Sequence, residues 1–173
     1  MANTNVKWIS KTALMIALLV VLQMLTKPFG QLVTGSCVNA VLAVSVILVG
    51  LSCGLTVAFL SPFFAFILGI GPQFFPITPA IALANCVLVI VLHLLCKGKI
   101  SASRTIIACS LSDFAKFFTI NMLVVQVICN VFTLPEKQIA MFNTMFSWPQ
   151  LTTALLGSAV ALLIVPSIKR ILK

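Results

Sequence analysis

Asp113 and Lys116 fall inside the apolar stretch between Arg104 and Glu136. An ionisable side chain in such a stretch is costly to desolvate, which makes each a functional candidate. Three residues apart, they can pair on one face of a helix. At roughly 100° per helical residue, Thr119, Gln126 and Asn130 lie within about 80° of Lys116 and extend a polar stripe along the same helix, whereas Asn121 points the other way. Such a stripe can be the wall of a ligand site, with Lys116 available to a carboxylate or other anionic group. It can equally be an internal ion pair whose neighbouring amides hold helices together. Asp113 bears on the choice, because it can neutralise Lys116 in place of a ligand.

The remaining polar groups carry the same two readings. Asn39 and Asn85 each sit in an apolar run, where a buried amide either fixes helix packing or orients a ligand. Gln73 and Thr78 flank Phe74 and Phe75 among prolines; this segment reads as an apolar lid with hydrogen-bonding edges, or as an aromatic anchor at the membrane surface. Gln150 and Trp148 open the last helix at the same level and can line the same mouth, Trp148 being equally suited to the aromatic belt. His93 reads as an interfacial residue. Ala13 and Ala17, four apart, offer a small-residue step for close helix approach, a spacing that Ala80 and Ala84 repeat.

With one His and two acids, the chain shows no phosphate-binding loop, no Ser-His-Asp set and no His-Glu-x-x-His motif. No catalytic residue is assigned, and energy for any pumping has to come from a partner. Cys37, Cys53, Cys86, Cys96, Cys109 and Cys129 form no C-x-x-C pair and read as small core residues, so no metal site and no cofactor is expected.

The elements that must position these residues follow from composition. Only 8% of the 173 residues are charged and 61% are hydrophobic, against about 25% charged in an average globular chain, so the natural solvent of this chain is lipid. Each helical crossing needs roughly 20 apolar residues. Breakers and charges divide the chain into helices at about 8–26, 38–49, 55–70, 80–96, 105–132 and 148–165, forming a single integral membrane domain over 1–173. The start of the chain imitates a signal peptide, but no A-x-A-like site follows and the segment is kept as the first membrane helix. Residues 30–36, short and polar, read as an external loop or a re-entrant segment. The long fifth helix is expected to be tilted or broken.

Charge tests this division. From Pro28 to Cys96 there are 69 residues without Lys, Arg, Asp or Glu, room for three crossings. Lys7, Lys11, Lys97, Lys99, Arg104, Lys169, Arg170 and Lys173 then share one side, eight against Lys27 and Lys137 on the other. Basic loops stay inside, so the expected fold is an all-α membrane protein, a six-transmembrane-helix bundle with cytoplasmic N- and C-termini. The net charge of +9 is read as this topology signal together with contact to lipid headgroups, and nucleic acid is not expected as a partner.

Taken whole, the chain resembles the S component, the membrane-embedded substrate-binding subunit, of energy-coupling factor (ECF) type ABC importers. The likeness rests on its size, its apolar helices, the absence of an ATPase motif, Ala13 and Ala17 in the first helix, and the Gly/Pro-broken run from Asn39 through Gly54, Pro62 and Gly71 to Asn85. It implies a bacterial plasma-membrane protein that captures a vitamin or similar micronutrient from outside, through helices 4 to 6 and the loops after helices 1, 3 and 5. It also implies docking through Ala13 and Ala17 on a transmembrane coupling (T) subunit, driven by two cytoplasmic ATPase subunits. The expected substrate-binding residues are Lys116, Thr119, Gln126, Asn130, Asn85, Gln73 and Gln150. A self-sufficient channel or carrier and a structural membrane subunit are the competing readings; copurifying partners would separate them from the first.

Overall fold

A computed structural model describes residues 2–96 and 102–171. Among these residues there is no strand, and long apolar helices account for most of the chain. Helix α1 spans Ala2–Thr26, α2 Gly30–Leu48, α3 Leu51–Ile67 and α4 Ile77–Leu95. Helix α5 begins as Ala102–Asn121, continues through a π-helical segment, Met122–Ile128, and ends with the turn Cys129–Val131. A short helix α6, Glu136–Met145, precedes α7, Trp148–Ile171. Lys97, Lys99 and Lys173, used above to count charge, lie outside the described residues.

Two features depart from the sequence expectation. The polar stretch 30–36 is not a loop: only a single 3-10 turn, Lys27–Phe29, separates α1 from α2. Pro28 suits that turn because its missing N–H would have no helical partner there, and Gly30, at φ +81°, reverses the chain into α2. The polarity of this stretch arises because it faces a cavity. Second, the segment before Trp148 contains α6, opened by Pro135 with Glu136 in its first turn, where a carboxylate complements the positive helix end. The fifth helix, expected to be tilted or broken, is interrupted by wider π-helical turns.

The centre of the bundle is α2, in which every residue from Asn39 to Val46 is buried. It packs most extensively on α7 and also meets α1, α3 and α4, while α4 lies against both α3 and α5. Close approach depends on missing side chains. A Cβ on Gly157 of α7 would stand 2.5 Å from Asn39 Cβ and 2.6 Å from the Ser36 carbonyl, and one on Gly54 of α3 would stand 2.9 Å from Val89. Two apolar clusters result, one around Leu42, Val57, Leu88, Leu92 and Ala161, the other around Ile77, Ile120, Val124, Phe142 and Phe146. Phe74 joins the second through Phe132 and Phe142, at ring separations of 5.5 and 6.1 Å, and Phe75 rests on Phe66 at 5.5 Å. These contacts pin the 68–76 loop over the ends of α3 and α4.

Candidate functional site

Beneath that loop lies a cavity of about 450 Å³ to which all seven helices contribute. Its rim is exposed and built by Lys27, Gly71, Gln73 and Met141; its deep end is buried and built by Asn39, Ser61, Asn85 and Lys116. Pro62, Phe66, Ile81, Met145 and Phe146 supply an apolar wall between them. Among the described residues lining the cavity, none is acidic. No group of three His, Cys, Asp or Glu residues comes together among the described residues.

Local backbone chemistry orients the deep end. Pro62 interrupts α3 and cannot donate to the Ala58 carbonyl four residues back. The Ser61 hydroxyl donates to that carbonyl instead, at 3.4 Å. Its oxygen is then an acceptor for Asn85 Nδ2, at 3.5 Å. The amide of Asn85 is thereby oriented with Oδ1 unpartnered and buried. On the opposite wall, Lys116 donates from Nζ to Asn39 Oδ1, tying α5 to α2. A lysine has three donors and no acceptor, so this bond also fixes which way the Asn39 amide is turned.

Lys116 and Asp113 do not form the pair that their spacing allows. Asp113 is fully buried outside the cavity lining and accepts from Ser158 Oγ on α7 at 3.0 Å, and its other oxygen has no partner. Among the described residues no ion pair joins the two; each turns to a different neighbouring helix, Lys116 to α2 and Asp113 to α7.

Of the residues singled out from sequence, Lys116, Asn85, Gln73 and Gln150 line the cavity together. Thr119, Gln126 and Asn130 do not. Thr119 donates to the Ala115 carbonyl at 2.8 Å, Gln126 is exposed, and Asn130 is exposed and donates to the Gln126 carbonyl at 2.7 Å. For Gln126 and Asn130 the stripe fails because the π-helical turns between Met122 and Ile128 rotate each residue by less than an α-helix does, whereas Thr119 precedes those turns and spends its hydroxyl on its own backbone. The buried line of α5 beyond Lys116 therefore runs at a spacing of four through Ile120, Val124 and Ile128. Those three apolar residues were the signal in the sequence for the inward face.

Five functional candidates were missed: Gln23 in α1, Lys27 in the turn, Gln31 and Thr34 in α2, and Ser61 in α3, all lining the cavity. Gln23 and Thr34 are 4% and 7% exposed, and Gln23 Oε1 and Thr34 Oγ1 have no hydrogen-bond partner. Gln31 donates to the Met145 carbonyl at 3.2 Å and Lys27 to the Leu68 carbonyl at 3.3 Å, so the rim is tied across to α6 and to the end of α3. A lone Gln in the last turn of an otherwise apolar helix end was the available signal for Gln23.

The family model of the substrate-specific component of ECF transporters matches residues 7–169. The chain belongs to this family. No curated protein and no solved structure matches it. As an ECF substrate-specific component it is a membrane protein of a transport system, and members of its family are substrate-binding subunits that work with other subunits. The match runs through every helix that contributes to the cavity.

Proposed function

We propose that this ECF substrate-specific component captures a vitamin or similar micronutrient from outside a bacterial cell, in the cavity between Asn39, Asn85 and Lys116. It then delivers the molecule inward through a T subunit driven by two cytoplasmic ATPase subunits. The observation that carries the reading is a cavity ringed by buried polar atoms without partners, in a member of a substrate-binding family. An unpaired buried polar group costs about 1–3 kcal/mol. Three of them, on Gln23, Thr34 and Asn85, line one cavity, where a single ligand can pair with all three.

The topology that suits this role is six crossings. The helical stretch Asn5–Leu48 has 44 residues, about 66 Å at 1.5 Å per residue, twice the roughly 30 Å of hydrocarbon; broken at Lys27–Phe29, it accounts for two. Leu51–Ile67, Ile77–Leu95, Ser103–Val131 and Glu136–Arg170 provide one each. Eight basic residues against two by side then put both termini in the cytoplasm and the rim at Lys27 and Gln73 on the outside. On α1, Ala13 and Ala17 are exposed between Leu14, Leu18 and Val21, a notch where a helix of the T subunit can approach closely.

The test is to extract the tagged chain from its native membranes in mild detergent and identify what accompanies it. The expected companions are a polytopic coupling subunit and two ATPases. A chain that emerges alone, and supports no ATP-dependent uptake when co-reconstituted with a coupling module from the same cells, would sink the reading.

A further inference from the structure

The polarity of the cavity says more about its ligand than the family does. We infer that the ligand is a small anion that also carries N–H or O–H donors, its anionic group lying against Lys116 at the closed end and its donors against Asn85, Gln23 and Thr34. The inference rests on the cavity being the binding site.

Charge is the first argument. Two cations, Lys27 and Lys116, line the cavity, and none of the described lining residues is acidic. Lys116 is 4% exposed, and its hydrogen bond goes to the neutral Asn39 while Asp113 is turned to Ser158. Two of the three ammonium donors are thus left for a ligand, and an anionic acceptor forms the stronger, charge-assisted bond. A cationic ligand or a metal ion would meet repulsion at both ends and no carboxylate anywhere along the wall.

The second argument is the set of orphaned atoms. Asn85 Oδ1 can only accept, and the amide is oriented by Nδ2 donating to Ser61 Oγ while the Ser61 hydroxyl is engaged by the Ala58 carbonyl. Gln23 Oε1 is a second unpartnered acceptor and Thr34 Oγ1 a third. These residues are 1%, 4% and 7% exposed, so bulk water does not satisfy them as it does surface groups. An anion without donors, such as a simple fatty acid, would answer Lys116 and can accept from the Thr34 hydroxyl, but it would leave Asn85 Oδ1 and Gln23 Oε1 unpaired. A donor-bearing anion answers both sets, with its apolar body against Phe66, Ile81 and Phe146. At about 450 Å³ the space is near the lower end of ligand cavities, which run from about 300 to 1,000 Å³.

The experiment uses the full chain purified from cells grown in rich medium. Small molecules released on denaturation are identified by mass spectrometry in both ion modes and quantified per protein. The wild type is compared with Lys116→Met, Lys116→Arg, Asn85→Leu and, as a control remote from the cavity, Gln126→Leu, each checked for a monodisperse size-exclusion profile. The expected result is a molecule with a carboxylate, phosphate or sulfonate and at least two N–H or O–H groups. Its occupancy should fall at least tenfold in Lys116→Met and Asn85→Leu, recover partly in Lys116→Arg, and hold in Gln126→Leu. If Lys116→Met does not fold, Asn85→Leu and Lys116→Arg decide. A retained cation, metal ion or acid-free neutral molecule overturns the inference, and so does empty wild-type protein or undiminished occupancy in a folded Asn85→Leu. The transport reading fails separately: an anion held by a chain that never engages a coupling module would refute transport alone, and ATP-driven uptake of a cation would refute this inference alone.

Discussion

Thr34 sits one turn into α2 with its hydroxyl buried and unpaired. Several other helical threonines donate to the carbonyl four residues back, as Thr26 does to Leu22 at 2.6 Å and Thr56 to Ser52 at 2.9 Å, whereas buried Thr12 in α1 is unpartnered like Thr34. A group held away from its own backbone is destabilising in the empty protein and useful only when something else pairs with it. Thr34→Val keeps the shape and deletes the orphan. It should therefore raise the unfolding temperature of the ligand-free protein by about 2–4 °C, the equivalent of ~1 kcal/mol in a chain of this size. Ligand binding should weaken by at least fivefold in the same protein, measured by titration in detergent. A fall in both quantities would mean that Thr34 is an ordinary packing residue. Gln126 provides the opposite case. It is exposed on α5 and absent from the cavity lining, so Gln126→Leu should leave the dissociation constant within about twofold, a free-energy change of ~0.4 kcal/mol or less.

At the scale of elements, the site depends on how closely α2 and α7 approach. Gly157 faces Asn39 and Ala40 so tightly that an added Cβ would lie 2.8 Å from the Ala40 nitrogen and nearer still to Asn39. The obstacles include backbone atoms, which cannot swing aside as the end of a flexible side chain can. Gly157→Ala should thus separate the two helices and destabilise the protein by about 1–3 kcal/mol, the usual cost of overpacking. Because Asn39 is the hydrogen-bond partner of Lys116, ligand affinity should fall together with the unfolding temperature. Gly71, whose added Cβ would meet nothing within 4 Å, gives a useful contrast: Gly71→Ala strains only its own backbone at φ +80°. Its effect should stay local to the loop and leave the α2–α7 contact intact, as read by a cysteine crosslink across those helices.

At the scale of the whole molecule, the exposed surface of α1 is mostly large apolar side chains, including Ile9, Leu14, Leu18, Val21 and Leu25. Lipid covers such a face without specificity, and Ala13 and Ala17 form a small exposed notch within that run. Replacing both by Leu should abolish uptake by the assembled transporter while the isolated chain binds its ligand normally, because the obstruction lies on the outside of the bundle and not at the cavity. Loss of binding in the isolated double variant would show instead that the step packs internally. Topology is checked independently with reporter fusions after Lys173 and between residues 97 and 104, both of which should report the cytoplasmic side. An external signal at either position would contradict six crossings.

Amino-acid order alone determined those properties that depend on solvent and on local spacing. Scarcity of charge required a lipid-embedded helical chain, and the grouping of Lys and Arg between apolar runs carried an expected orientation. A single cation in the middle of an apolar run pointed to Lys116. Each of these can be read along one dimension, because hydropathy and charge act through contact with lipid or water at the residue itself. The cavity could not be read that way. Gln23, Thr34, Ser61, Asn85 and Lys116 stand on five different helices, and what gathers them is the packing of those helices on one another, with Gly54 letting α3 approach both α2 and α4. Nor did the spacing on α5 reveal which polar residues turn inward. That depended on a π-helical segment whose wider turns carry Val124 and Ile128 into the core behind Ile120 and leave Gln126 outside. Helix type and interhelical distance are settled by packing, and packing is a property of the folded chain.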